Sequence, residues 1–502
     1  MDSITSRTSP PSAPVARVSP LTLPVVLIGV LLVAMSVSGT AVALSSMGED
    51  LGTSGSPLNW VVAGYNLAFA AMTLVAGSTA DRIGRRRVFV GAALVFTAGF
   101  ATTAVSTSIV VTDIARIVSG VGGAGIMAAG GALLAAEFGG PARNRAFALM
   151  GTVAGTGIAV GPTLSGLLIS VTGWRGAFVV FTVVGLLVAL GATRTRESRA
   201  DGTRGSDWTG GTLFVAALSL LMFALLEAPA RGWTHPGIVL CLLAGLAALL
   251  VFARGQRRSS SPVLAPSLVA DRGFLGWSLA TLTTSVGFLG ALVFLPTYLQ
   301  AAGGLSPAAA GVTMLLLTGP VLVVPLAAVT LVAWRVSARL LILVSLALVV
   351  LGNFGLMLLS SSHVVAVVAV PLLMIGTGMG VSFGLADGQA MSMVAADSVG
   401  MAAGFLNTLR GAAEALVIAA FSAALLSLLT GRLGDAERAA HVSAGHLSSP
   451  GSPTELGALT WSWHMTQLGV GVVCLVLAVA VAVLITGGRH RSRDETKAGA
   501  GI

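Results

Sequence analysis

The chain has 502 residues, 55% hydrophobic and 9% charged, with a mean hydropathy of +0.93. That balance excludes a soluble globular protein, and uncharged runs such as Leu21 to Leu44 match the roughly 20 apolar residues a helix needs to cross a bilayer. Lys and Arg number 28 against 19 Asp and Glu, an excess that would suggest nucleic acid if it did not follow the topology described below.

A Ser/Pro-rich tail, 1–20, opens the chain and is expected to be a disordered cytoplasmic segment. The run from Leu21 to Leu44 is too long for a cleaved signal peptide, and many runs of its kind follow. Apolar runs and their breaks predict spans near 21–44, 57–80, 88–107, 110–137, 146–170, 174–193 and 208–228. They continue near 236–254, 273–299, 308–332, 338–359, 364–390, 401–429 and 461–486. The segment between the last two, 430–460, is rich in Gly, Ser and Pro and reads as a loose loop. Cys241 and Cys474 each sit inside an apolar run, so neither a disulfide scaffold nor a thiolate metal site is implied.

The fourteen predicted spans put both termini on one side. Placing them in the cytoplasm leaves 22 of the 28 basic residues inside, four outside and two, Arg116 and Arg410, within spans. Excess Lys and Arg on cytoplasmic loops is what the positive-inside rule requires, so the basic charge is a topology signal and no nucleic-acid partner is expected.

The turn between the second and third spans reads 77-GSTADRIGRRRV-88. Gly77 and Gly84 suit a tight bend and the arginines hold the loop inside, but an acid at Asp81 adds nothing to topology. The string resembles the signature loop of the major facilitator superfamily. That resemblance implies a cytoplasmic latch of Gly77, Asp81, Arg82, Gly84, Arg85 and Arg86, with Glu137 at the end of the fourth span as the partner acid. In the fourth span, 116-RIVSGVGGAG-125 resembles a second pattern of the family. Arg116 is costly in the membrane unless paired, and Asp113 lies one turn earlier as the expected partner.

In the fifth span, 151-GTVAGTGIAVGPTLSG-166 sets Gly151, Gly155 and Ala159, and also Gly157, Gly161 and Ser165, at four-residue steps. These make two small-residue faces, and Pro162 disturbs the helix. Its A-V-G-P-x-x-x-G core, with Gly161, Pro162 and Gly166, resembles the motif that marks antiporters, chiefly drug exporters. The extra pair of spans, with 207-DWTGG-211 and 226-LEAPARGW-233, resembles the insert of the fourteen-spanner drug:proton antiporter family. The strings 298-YLQAAGGLSPAAAG-311 and 404-GFLNTLRGAAE-414 are similar to that family as well.

The resemblance covers about Leu21 to Ile485 and implies an all-α integral membrane protein of the major facilitator fold. Its expected parts are a six-helix bundle over 21–193, linkers with the two inserted helices over 194–272, a second six-helix bundle over 273–486 and a cytoplasmic tail, 487–502. It implies a monomeric proton-coupled antiporter in the cell membrane that exports a small lipophilic drug or antibiotic and needs no cofactor beyond the proton gradient. A metabolite exporter, a symporter of the same fold and a transporter-like sensor are the alternatives.

One departure matters. Ser36 stands in the first span where the family usually carries an Asp, so the usual proton site is missing. The proton-coupling candidates are then Glu414, one turn from Arg410 near mid-membrane, and Asp387, with Asp113 and Arg116. Protonating Glu414 would loosen its hold on Arg410 and let one site alternate between proton and cargo; a permanent structural pair is the other reading. The six histidines lie in loops or at span ends, and no metalloprotease, nucleophile-elbow or paired-Asp pattern occurs, so an enzyme is not expected.

Overall fold

The computed structural model describes residues 19–138, 140–199, 208–257, 271–359, 364–393, 399–448 and 452–487. The expected tails, apart from Ser19, Pro20 and Gly487, and most of both linkers around the insert lie outside these residues. The first seven helices are α1 (Thr22–Leu51), α2 (Ser56–Ile83), α3 (Arg85–Val105), α4 (Ile109–Glu137), α5 (Gly140–Ala192), α6 (Trp208–Arg231) and α7 (Pro236–Gln256). They are followed by α8 (Arg272–Ala301), α9 (Pro307–Thr313), α10 (Leu315–Ala333), α11 (Ala338–Gly355), α12 (Val364–Ser392), α13 (Val399–Leu433), α14 (Ala436–Ser443) and α15 (Pro453–Gly487). No strand occurs among the described residues.

Twelve helical segments are individually long and apolar enough to cross a membrane, and α2, bent by 45° between Thr73 and Val75, makes thirteen. Two predicted spans fuse into α5, whose 53 residues are interrupted where Gly173 takes φ 70° and ψ 172°. Only glycine reaches that backbone region without strain, so the chain breaks its helix there.

Two groups of helices emerge. In the first, α1 packs on α5, α4 on α2 and α3, and α3 on α5; in the second, α12 packs on α8, α10 and α11, and α15 on α8 and α11. Backbone proximity in the first group rests on glycine. A Cβ at Gly122 would run into the Phe96 backbone, one at Gly120 into the Tyr65 carbonyl and one at Gly157 into Ala34 and the Leu31 carbonyl. Close approach of this kind supplies the dispersion energy that holds helices together where lipid removes the hydrophobic drive. The inserted α6 leans on both α2 and α13, and α7 packs on α6 while exposing Leu240, Leu243, Leu246 and Leu250.

Helix occupies much of the described part of the segment expected to be a loose loop. Asp435 caps α14 by accepting from the backbone N–H of Glu437 and Arg438, and Ala439 and Val442 are buried. Arg438 Nε donates to Glu455 Oε1 at 2.6 Å, and Glu455 has no exposed surface. The sequence pattern was masked by the Gly and Ser that surround this short amphipathic turn.

The two groups do not meet evenly along their length. At the end away from the arginine-rich turn, Asn59 Nδ2 donates to Ser422 Oγ at 2.5 Å, Thr163 Oγ1 donates to the Gly311 carbonyl at 2.8 Å, and His446 Nε2 lies 3.2 Å from the Ser45 carbonyl. Along α5 these contacts then thin. Thr318 Oγ1 reaches the Ala159 carbonyl at 2.5 Å, while among the described residues a Cβ at Gly155 would meet only Phe383, at 3.7 Å, and one at Gly151 would meet nothing within 4 Å. Among the described residues, the contacts between the halves gather at the end away from the arginines.

Candidate functional site: charged groups at the seam

The arginine turn is tied to its own half. Gly84, at φ 123°, ends α2 and starts α3. Asp81 Oδ1 accepts from Arg85 Nη2 at 2.9 Å and Nε at 3.1 Å. Glu197, just beyond α5, accepts the backbone N–H of Arg86 at 3.0 Å and of Arg87 at 3.2 Å, with both guanidinium groups at 3.8 Å. A carboxylate on the exposed N–H groups of a helix start is a charge-assisted cap. Glu197 thus joins Asp81 as an acid the turn uses, and Arg82 is exposed.

Glu137 is elsewhere: it accepts from Thr22 Oγ1 at 2.9 Å and from the backbone N–H of Ser19, holding the start of α1. The structure therefore does not bring Glu137 to the latch arginines. Glu197 was legible as the lone acid among the arginines of 194-RTRESR-199, but its role depends on a chain reversal that sequence spacing does not encode.

Arg116 is 1% exposed and makes no ion pair among the described residues. Its Nε donates to the Val61 carbonyl at 3.1 Å and Nη1 to Ser36 Oγ at 3.3 Å. The guanidinium lies 4.4 Å from the Tyr65 ring centre, 5.2 Å from Phe100 and 5.8 Å from Phe178, an aromatic box suited to a desolvated cation. Asp113, expected to pair with it, is within its electrostatic range, yet among the described residues it makes no ion pair and its buried Oδ1 has no hydrogen-bond partner. An acid one turn earlier on a helix needs a rotamer aimed along the axis; the Arg116 side chain instead turns across to α1 and α2. Ser36, occupying the place of the usual acid, is one of its two hydrogen-bond partners.

In α5 the two small-residue faces divide their work. Gly157 and Gly161 lie against α1, where a Cβ would strike Ala34 and Ser38. The other face looks to the second half: Pro162 and Gly166 meet α9 around Pro307 and Gly311, whereas among the described residues Gly155 and Gly151 stand progressively clear.

Glu414 is half-buried on α13, with Arg410 one turn away and in electrostatic contact with it, and Arg410 lies 5.7 Å from the Phe383 ring centre on α12. Across the seam Glu414 also senses Tyr65 on α2. Asp387 lies on α12, but its side chain is outside the described residues. The structure sets Glu414 and Arg410 across the seam from Tyr65, with Arg116 and Ser36 behind it inside the first group, and leaves Asp81 and Glu137 at the arginine-rich end. Tyr65 was missed by motif reading, although it is one of only two tyrosines in the chain. No cluster of His, Cys, Asp and Glu able to hold a metal occurs among the described residues.

Two helical groups hinged on small-residue seams, with buried charges between them, define a polytopic membrane transporter. Residues 26–418 match the family model described as Major Facilitator Superfamily, and the chain belongs to that superfamily. Among curated relatives it is 31% identical over 421 residues to the multidrug resistance protein Stp of Mycobacterium tuberculosis, covering 83% of this chain and 78% of the relative. It is also 31% identical over 309 residues to the tetracenomycin C resistance and export protein of Streptomyces glaucescens, covering 60% of this chain and 56% of that one. A solved structure of a bacterial homologue of the lysosomal transporter Spinster, in an inward-facing conformation, superposes with a TM-score of 0.66 at 15% identity, covering 94% and 98% of the two chains. That likeness is one of fold.

Proposed function

We propose that this chain is a proton-driven exporter of a small lipophilic drug or antibiotic, working by alternating access of its two helical halves. The observation that carries the reading is the placement of Glu414 and Arg410 beside the Tyr65–Arg116 box, at the seam between the halves. The named relatives, resistance and export proteins, support the cargo class. A carboxyl at that level can take a proton from one side and release it to the other, exchanging it for cargo in the same cleft.

The reading includes fourteen crossings with both termini in the cytoplasm. At about 1.5 Å per residue, α5 is more than twice as long as the roughly 30 Å hydrocarbon layer, so its break at Gly173 separates two crossings and raises thirteen to fourteen. The arginine distribution supports the orientation. It makes the end where the contacts gather the outer one, and the seam then opens to the cytoplasm. The domains follow as two bundles, 21–193 and 273–486, joined through the inserted pair, with the chain acting as a monomer.

Sealed proteoliposomes with an imposed pH difference test the proposal, using puromycin and a lipophilic fluorescent dye as probes. Probe movement that follows the gradient, and is lost in Glu414→Gln, is the expected result. Movement that ignores the gradient, or gradient-driven movement unchanged by Glu414→Gln, overturns the proton-coupled reading.

A further inference from the structure

We propose that Asn66 reads the protonation of Glu414: a protonated Glu414 donates to Asn66 Oδ1 and so holds the outer halves of α2 and α13 together. Three observations on the two helices lead there. They run antiparallel, and they touch at Asn59–Ser422 and at Ala70–Gly411, where a Cβ on Gly411 would lie 2.9 Å from the Ala70 Cβ. Eleven residues separate the two contact points on each helix, so the pair stays in register between them. Asn66 stands one turn from Ala70 and two turns from Asn59 on the contact face of α2; Glu414 stands one turn from Gly411 on α13. The register sets Glu414 opposite Leu67, one position from Asn66.

Asn66 is 2% exposed, and its Nδ2 donates to the Val62 carbonyl at 2.9 Å. A carbonyl accepts only from the nitrogen, so the amide orientation is fixed and Oδ1 is left as the free end. Oδ1 is buried with no hydrogen-bond partner among the described residues. A buried amide oxygen without a donor is costly, and the register of α2 against α13 sets the Glu414 carboxyl within one position of it. The protonated acid supplies the missing donor, whereas the carboxylate sets acceptor against acceptor.

The sign suits an exchanger. A proton arriving from outside closes the outer seam and turns the site inward; its loss to the cytoplasm removes the bond and lets cargo-loaded protein reopen outward. The other charges around Glu414 are Arg410 on its own helix and Tyr65 on α2 with Arg116 behind it. On α6, α8 and α15 the charged residues lie toward the helix ends, at Glu227, Arg231, Arg272 and Glu455, while His464 is bound to the Leu359 carbonyl at 2.7 Å. Asp387 on α12 has its side chain outside the described residues.

The inference rests on Glu414 as the proton carrier, and one experiment separates the two claims. Spin labels at Val171→Cys and Gly431→Cys, in a Cys241→Ser background, report the spacing of the outer ends across pH. In the otherwise unmodified protein, acid favours the short distance. Glu414→Gln, whose amide is a permanent donor, is expected to hold the short distance at every pH. Asn66→Leu and Asn66→Ala are expected to lower the closed-to-open ratio at acid pH about tenfold and leave it unlowered at alkaline pH. A pH response that survives in Glu414→Gln overturns Glu414 as carrier, and the inference with it. A flat Glu414→Gln response with both Asn66 variants matching the parent overturns the Asn66 inference alone.

Discussion

Glycines in α4 and glycines in the first arm of α5 look alike in sequence and do opposite things. Gly120, Gly122 and Gly125 fit α4 against its neighbours so closely that a single added carbon would collide with Tyr65, Phe96 or Ala92. Gly155 looks to the other half, with only the Phe383 ring edge before it among the described residues, and Gly151 meets none of them. The first set builds a close-packed wall around Arg116; the second makes no such close approach among the described residues. A small residue in a membrane helix therefore reports close contact only when the helix it faces belongs to the same rigid unit.

Substitutions can break or sharpen this contrast. The largest expected effect is at the wall: Gly122→Val forces the α3 backbone aside and costs about 3 kcal/mol, read as loss of monodisperse protein in detergent or a steep fall in thermal stability. At the end where the halves meet, Gly166→Ala meets the Pro307 carbonyl. The protein is expected to fold normally, with gradient-driven transport reduced about tenfold because the two halves no longer close. Glu197→Gln removes the charge from the cap on α3 and is expected to lower stability by about 1 kcal/mol, measured by thermal unfolding, with the larger share lost at low ionic strength. Gly151→Ala is the smallest: helix propensity gains about 0.5–1 kcal/mol with nothing to clash, so stability is unchanged or slightly raised. A large loss at Gly151 would mean that the face is packed after all.

Much of the architecture was readable from apolar runs, because a membrane helix must satisfy its own backbone and announce itself by length. The arginine turn, the buried Arg116 and the small faces of α5 were legible for related reasons: charge in lipid and glycine in helices are both expensive and stand out. Partner choice was not legible. Asp113 lies at a spacing that permits pairing with Arg116, yet Val61, Ser36 and three rings do that work, since a bundle offers carbonyls, hydroxyls and aromatic faces from several helices at once. Glu137 serves α1 rather than the arginines for the same reason. Asn66 carries no motif at all, and only the register of α2 against α13 makes it conspicuous.

The inserted α7 touches the rest of the molecule through α6 and turns Val239, Leu240, Leu243, Leu246, Leu250 and Val251 outward. Most of its circumference is therefore solvated by acyl chains. Its 21 residues, about 31 Å end to end, nearly equal the thickness of an ordinary hydrocarbon layer. In a thinner bilayer this outrigger has to tilt, and it pulls on α6 where that helix bridges α2 and α13. Lipid chain length thereby becomes a mechanical input to the protein, entering through the helix farthest from its charged centre.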